Sequence, residues 1–177
     1  MKNTATENFL AVLATYMPLS AEIIDMMLPQ LQVRQLKKNS PLPNFRNDYL
    51  FVVSGLLKKE DCESGDIQLF LQPGDFELFA TGTETFHYCS IEESTVVLFP
   101  VSMLVDLVPQ HRAVFEGYQQ IVHQWCALRC SRQELLLLKA PEKKAELYRR
   151  LGKSANSISN KDLARYLAMD SSYFSSL

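Results

Sequence analysis

The residues best suited to chemistry lie at the C-terminal end, in residues 159–177. Leu163, Ala164 and Leu167 form a small apolar face at helical spacing, Ala168-Met169-Asp170 makes a tight turn, and Ser171 opens a second helix. Two helices joined in this way can set the second one into a DNA major groove. Asn160 and Lys161, at the start of the first helix, would then reach phosphate oxygens. Ser171, Ser172, Tyr173 and Ser175 would face base edges. Serine discriminates weakly between bases, whereas arginine on guanine is the strong specific contact. Residues 171–177 contain neither arginine nor lysine. The second helix reads as incomplete, stopping after about two turns.

Other chemistry finds less support. His87, His111 and His123 fall in different expected elements and lack metal-ligand spacing. A cupin-like centre would need an H-x-H pair with a third histidine and a carboxylate. No glycine-rich phosphate loop, G-x-S-x-G elbow or H-E-x-x-H motif occurs, so no catalytic residue, no metal and no enzyme are expected. Cys62, Cys89, Cys126 and Cys130 form no C-x-x-C pair, and no disulfide framework is expected. Cys126 and Cys130 share a helix face near Arg129 and Arg132. They read either as a redox-sensing or metal-binding pair, which needs a lowered thiol pKa, or as two ordinary reduced thiols.

The elements that must position these residues come in a definite order. Residues 6–16 and 20–31 read as two short amphipathic helices, the second capped by Ser20. Pro41 and Pro43 mark a loop. From Asp48 to Phe99 the pattern turns to short strands: the apolar run Tyr49–Val53, a polar hairpin turn over Glu60–Asp66, alternation in Ile67–Leu71, a Pro73-Gly74-Asp75 turn, then Thr83–Ile91 and Thr95–Phe99. Such spacing implies a barrel or jelly-roll sandwich. Ser102–Leu107 reads as a short helix, and a long one runs from Pro109 to about Leu138. On it Val114, Tyr118, Ile121, Trp125, Leu128 and Leu135 recur at coiled-coil steps, interrupted by Arg132, and are expected to form a dimer seam, the alternative being that the stripe packs on the β domain. A further helix, Glu142–Leu151, and a polar linker, Gly152–Ser157, precede the terminal motif.

Charge follows this division. The net charge of −2 conceals eight Lys/Arg against four Asp/Glu in residues 139–177, leaving ten against sixteen in residues 1–138. The basic end is the one that would meet nucleic acid. No apolar stretch approaches the roughly 18 residues of a membrane helix, and Met1–Glu7 lacks the pattern of a secretion signal. The expected setting is cytoplasmic, with no membrane partner.

Two helices, a β-roll containing Val52-Val53-Ser54-Gly55 and Gln72-Pro73-Gly74-Asp75-Phe76, a long helix, and Asp162-Leu163-Ala164 with its turn together resemble the Crp/Fnr family of bacterial transcription regulators. The resemblance covers about Leu19 to Leu177. It implies an α+β fold, in which an antiparallel cyclic-nucleotide-binding-like roll joins a dimerisation helix and a C-terminal winged-helix-type helix-turn-helix. The implied divisions are residues 1–109, 110–138 and 139–177. The implied partners are double-stranded DNA, a second copy of the chain and RNA polymerase. The implied effector pocket comprises Gly74, Asp75, Phe76, Glu77, Leu78, Thr85, Phe86 and Tyr88.

The departures narrow that reading. Family members that bind cyclic nucleotides hold the phosphate with an arginine in a water-poor pocket. Here Thr85, followed by bulky Phe86, stands nearest that position, and no arginine or lysine lies between Lys59 and Arg112. Cyclic AMP is therefore not expected as a ligand and no cofactor is expected; the pocket is collapsed, or holds another small ligand among Phe76, Leu78, Phe86 and Tyr88. The family's strand pair before Val52 has only residues 39–47 available, so the roll reads as shortened there. The alternative function is a sensor or interaction module that keeps the roll and long helix without binding DNA.

Overall fold

A computed structural model of the chain describes residues 2–42, 48–78 and 86–177. Helix α1 (Lys2–Leu13) begins earlier than the sequence pattern suggests. Helix α2 (Ala21–Met27) starts where expected, because Ser20 Oγ accepts from Ile23 N at 3.3 Å. It ends sooner, in a 3-10 turn at Leu28–Gln30, where Pro29 restricts the backbone before it. That early stop frees the next residues to form strands. β1 (Gln32–Leu36) and β2 (Pro41–Leu42) exist, so the roll is not shortened on this side.

The remaining strands are β3 (Asp48–Ser54), β4 (Leu57–Asp61), β5 (Ile67–Leu71), β6 (Phe76–Leu78), β7 (Phe86–Ser90) and β8 (Ser94–Pro100). Among the described residues they form two four-stranded antiparallel sheets, ordered β1-β8-β3-β6 and β2-β7-β4-β5. Gly55 is required at the bend between β3 and β4. Its φ is +87°, and an added Cβ would lie 2.5 Å from the Glu93 carbonyl oxygen.

Strand alternation divides the apolar residues between two cores. Leu50 and Val52 of β3 point between the sheets with Leu57, Leu69, Leu71, Val96 and Leu98. Tyr49 and Phe51 point outward from the same strand onto α1, α2 and α3 (Val101–Leu107). There Phe9 packs between Phe51 and Phe99, with ring centroids 5.4 and 5.2 Å away.

Helix α4 (Arg112–Leu136) crosses the edges of both sheets, touching β6 and β5. Its stripe of large residues, read from sequence as a dimer seam or as packing on the β domain, is used within the chain itself. Val114 and Ile121 are buried against α1, α2 and α3. Tyr118 Oη bonds Tyr49 Oη at 2.9 Å, Trp125 bonds Glu77, Leu128 packs on the inter-sheet core, and Leu135 is buried in the C-terminal cluster. The physical reason is that a two-sheet roll leaves its β5/β6 side open, and α4 supplies the apolar cover. Close approach also depends on Gly117, where an added Cβ would lie 2.5 Å from Met17 Cβ.

Helix α5 (Ala140–Leu151), a 3-10 turn at Gly152–Ser157, α6 (Asn160–Tyr166) and α7 (Ser171–Ser176) complete the chain. Leu147, Leu151, Leu163, Leu167 and Phe174 share one core with Leu56, Ile67 and Phe70 of the roll. Among the described residues no helix is long and apolar enough to cross a membrane.

Candidate functional site

Two neighbouring lysines on β4 set up the site. Alternation with buried Leu57 turns Lys59 inward, where it is 2% exposed, and turns Lys58 outward. A lysine at an inward strand position needs a counter-ion, and Glu77 on β6 supplies it at 3.2 Å. Glu77 is fully buried, and its carboxylate receives four donors. Lys59 Nζ, Tyr88 Oη at 2.9 Å and Arg129 Nη2 at 2.8 Å reach Oε1, while Trp125 Nε1 reaches Oε2 at 2.8 Å. Phe86 and Tyr88 place their rings 4.6 and 5.5 Å from Lys59 Nζ, and the Arg129 guanidinium lies 4.4 Å over Trp125. Beside this knot is a cavity of about 110 Å³, walled by Lys59, Gln68, Phe86, Arg129, Arg132 and Gln133.

The pocket expected from sequence is thus only partly assembled. Glu77, Phe86 and Tyr88 come together. Phe76 is corrected out of the pocket: it faces the opposite side of β6, packing on Phe51 at 4.8 Å and on Tyr16 at 5.8 Å. Gly74 and Asp75 form the turn before β6, in which Asp75 Oδ2 accepts from Gln72 N at 2.7 Å and Gly74 N donates to the Val52 carbonyl. Burial pushes the Asp75 carboxyl up to about 6. The Gln72 bond opposes that rise, and the Glu77 charge adds to it. Leu78 pairs with Tyr49 through its backbone, and Thr85 lies outside the described residues.

Cations reach the cavity from outside the stretch that lacks them. Lys59 comes from before the stretch that lacks basic residues, and Arg129 and Arg132 come from α4. The sequence signal for Lys59 was its even spacing from Leu57. Arg132 was visible only as an interruption in an apolar stripe. Neither arginine serves the cysteines, since Arg129 turns to Glu77 and Arg132 to Tyr166, while Cys126 and Cys130 are exposed.

The outward face of β4 meets the helix-turn-helix. Lys58 Nζ lies 3.2 Å from Asp162 Oδ2 on α6, and Arg165 Nη1 lies 3.6 Å from Glu60 Oε1. Burial lowers the Lys58 pKa, but Glu60 and Asp162 outweigh it and hold the ammonium above its ordinary value. Tyr166 packs on Phe70 with ring centroids 4.9 Å apart. Arg132 joins the two faces, donating from Nε to the Tyr166 carbonyl at 2.9 Å and from Nη1 to Gln68 Oε1 at 3.2 Å.

Caps fix both terminal helices. Ser159 Oγ accepts from Asp162 N at 3.1 Å, and Asp170 Oδ1 accepts from Ser172 N and Tyr173 N at 2.8 and 2.9 Å. Between them Ala168 takes a positive φ of 51° to make the turn. Phe174 anchors α7, fully buried and with Lys144 Nζ on its carbonyl at 2.9 Å. The named groove-facing residues, Ser171, Ser172, Tyr173 and Ser175, are all exposed, as are Asn160 and Lys161.

No family model and no curated protein matches this sequence. Solved structures do share its fold. FixK2 from Bradyrhizobium japonicum is 20% identical with a TM-score of 0.68, over 82% of this chain and 81% of that one. A cyclic nucleotide-binding domain containing protein from Listeria monocytogenes is 12% identical with a TM-score of 0.69, over 96% and 87%. A protein from Eubacterium rectale assigned to the crp/fnr family of transcriptional regulators is 13% identical with a TM-score of 0.68, over 92% and 85%. At these identities the likeness establishes the fold: a cyclic-nucleotide-binding-like roll with a long helix and a C-terminal helical motif, as in Crp/Fnr regulators.

Proposed function

We propose that the chain is a DNA-binding transcription regulator of Crp/Fnr type. In this reading residues 1–109 sense an effector, 110–138 link and dimerise, and 139–177 contact DNA. The observation that carries it is the α6–turn–α7 unit, capped at both helices and anchored by buried Phe174, with Ser171, Ser172, Tyr173 and Ser175 held outward. Exposed hydroxyls at the start of the second helix are what such a motif offers a groove. RNA polymerase contact follows from the same reading.

A second copy would meet α4 on the side that the roll leaves open. There Phe115, 43% exposed, recurs with Gln119, Val122 and Cys126 at steps of four and three. Phe115→Glu is expected to halve the mass in light scattering, and an unchanged mass removes this face as the contact.

The test of the main reading is fluorescence anisotropy on duplex DNA as a function of salt. Binding should weaken as salt rises, with a slope set by the phosphates neutralised. A chain that ignores duplex DNA at low salt is instead a sensor or interaction module.

A further inference from the structure

A thiol, an imidazole and a carboxylate stand in line at the far end of β4. His87 is the antiparallel partner of Glu60, and Cys62 follows Glu60 by two residues. Alternation carried one residue past the strand therefore sets all three on one face. Cys62 Sγ lies 3.3 Å from His87 Nδ1, and His87 Nε2 lies 3.7 Å from Glu60 Oε2. The turn holds the thiol in place: Asp61 Oδ1 accepts from Glu63 N and Ser64 N at 2.9 and 2.8 Å, and Gly65 N donates to the Asp61 carbonyl at 2.9 Å. Cys62 is exposed, and among the described residues no other cysteine is bonded to an imidazole.

These are the parts of an activated sulfur nucleophile: the nucleophile, a base within reach, and a third group that orients the base. An ionised carboxylate only accepts, so the ring keeps its own proton at Nε2, and Nδ1 is left to take one from sulfur. Metal binding is a poorer use of the same groups. The two ring nitrogens face opposite sides, and among the described residues no three side chains of His, Cys, Asp or Glu could hold a metal ion. We propose that Cys62 is a covalent modification site, where His87 takes the thiol proton and the sulfur exchanges with a small disulfide that carries amine groups. The site is separate from the cavity beside Glu77 and does not rest on the DNA-binding reading.

Charge selects the reagent. Residues 60–66 hold four carboxylates, Glu60, Asp61, Glu63 and Asp66, and neither lysine nor arginine. Lys58 and Arg165 approach from β4 and α6, but both are turned to Glu60, and Lys58 also to Asp162. A bare thiolate is disfavoured among these carboxylates. Proton transfer within the pair is not, because thiol plus imidazole and thiolate plus imidazolium carry the same net charge. The field left around the sulfur attracts cations and repels anions. In the reaction, His87 Nδ1 receives the thiol proton and Cys62 Sγ attacks one sulfur of the disulfide. The reagent's S–S bond breaks as the new one forms, and the departing thiolate takes the proton from His87 and leaves as a thiol. Oxidation of Cys62 is balanced by reduction of the departing sulfur.

Treating the full chain with cystamine, a diamine disulfide, and with dithiodiglycolate, a dicarboxylate one, tests this, with the mixed disulfide at each cysteine followed by peptide mass spectrometry. Cys130 on α4 is the reference within each sample. In His87→Gln the ratio of Cys62 to Cys130 rates with cystamine should fall at least about tenfold. The His87 side chain is 41% exposed, so the change empties no core. Unfolding the wild type in urea should lower the same ratio. Cystamine should outpace dithiodiglycolate at Cys62, by a margin that shrinks as salt rises. In mildly alkaline buffer, nitrogen chemical shifts should show His87 protonated at Nε2 in the wild type and the two tautomers mixed in Glu60→Gln. A ratio that neither His87→Gln nor unfolding changes overturns the site. An equal or faster reaction with the dicarboxylate overturns the reagent class, and a tautomer that ignores Glu60→Gln removes the positioning role of Glu60.

Discussion

Lys58 and Lys59 are adjacent in sequence, yet they serve opposite regions of the molecule. Lys59 is sealed inside the roll with a carboxylate that takes four donors, whereas Lys58 sits at the seam with α6, paired to Asp162 with both side chains 16% exposed. The inner knot fixes the roll to α4, and its members cannot leave without exposing a charge to an apolar interior. The outer pairs are reached by water and can separate at small cost. One strand therefore holds a rigid contact on one face and a releasable one on the other. On the proposed regulator reading, this arrangement would let the terminal helices move against the roll.

Removing Glu77 should break the inner face most severely. Glu77→Ala leaves Lys59 buried without its carboxylate and should cost about 3–5 kcal/mol, read as a lower urea midpoint at unchanged slope. A loss under about 1 kcal/mol would put the knot on the footing of an exposed pair and erase the contrast.

The pH dependence of Asp75 probes the same region. Folded Asp75 holds its proton up to about 6, against an ordinary 3.8. Its contribution to stability is therefore complete below 3.8 and lost as pH rises through 6. Across that window the wild type should lose at most about 3 kcal/mol that Asp75→Asn does not lose. Melting temperatures from pH 4 to 7 would show converging curves at the acid end; parallel curves would contradict the buried turn. Glu77→Gln should narrow the window, since the Glu77 charge contributes to the shift.

For the outer face, a double-mutant cycle on Lys58→Met and Asp162→Asn should give a coupling of about 0.5–1 kcal/mol. A value above about 3 kcal/mol would make the two faces energetically alike. The smallest stability effect belongs to Tyr173→Ala on the exposed face of α7, within about 0.5 kcal/mol. Its DNA affinity should nevertheless fall, and an unchanged affinity would remove Tyr173 from the interface.

Much of the fold was legible because local chemistry marks it. Ser20, Ser159 and Asp170 announce helix starts, Gly55 and Gly74 mark bends, and Ile67–Leu71 alternates as a strand on an edge should. The strand β1 was missed because Gln32–Leu36 shows no clear apolar alternation, and its partners in β8 lie 58 to 66 residues away. Asn160, Lys161, Ser171, Ser172, Tyr173 and Ser175 are exposed, since polar side chains at helix starts need no long-range partner. The candidate pocket was half legible. Glu77, Phe86 and Tyr88 belong to strands consecutive in sequence, but the cations opposite them come from β4 and from α4, Arg129 lying 52 residues beyond Glu77.

By itself the sequence determined the order of elements, their caps and turns, and the helix-turn-helix spacing. These rest on backbone preferences and side-chain bonds that span a few residues. Only the tertiary structure decided which way the long helix faces. A heptad stripe records that a helix has an apolar side, not what covers it, and here the open edge of the roll covers it. The same packing brought Arg129 and Arg132 to Glu77 and Tyr166. Charge pairing across a fold depends on distances in space that no local pattern carries.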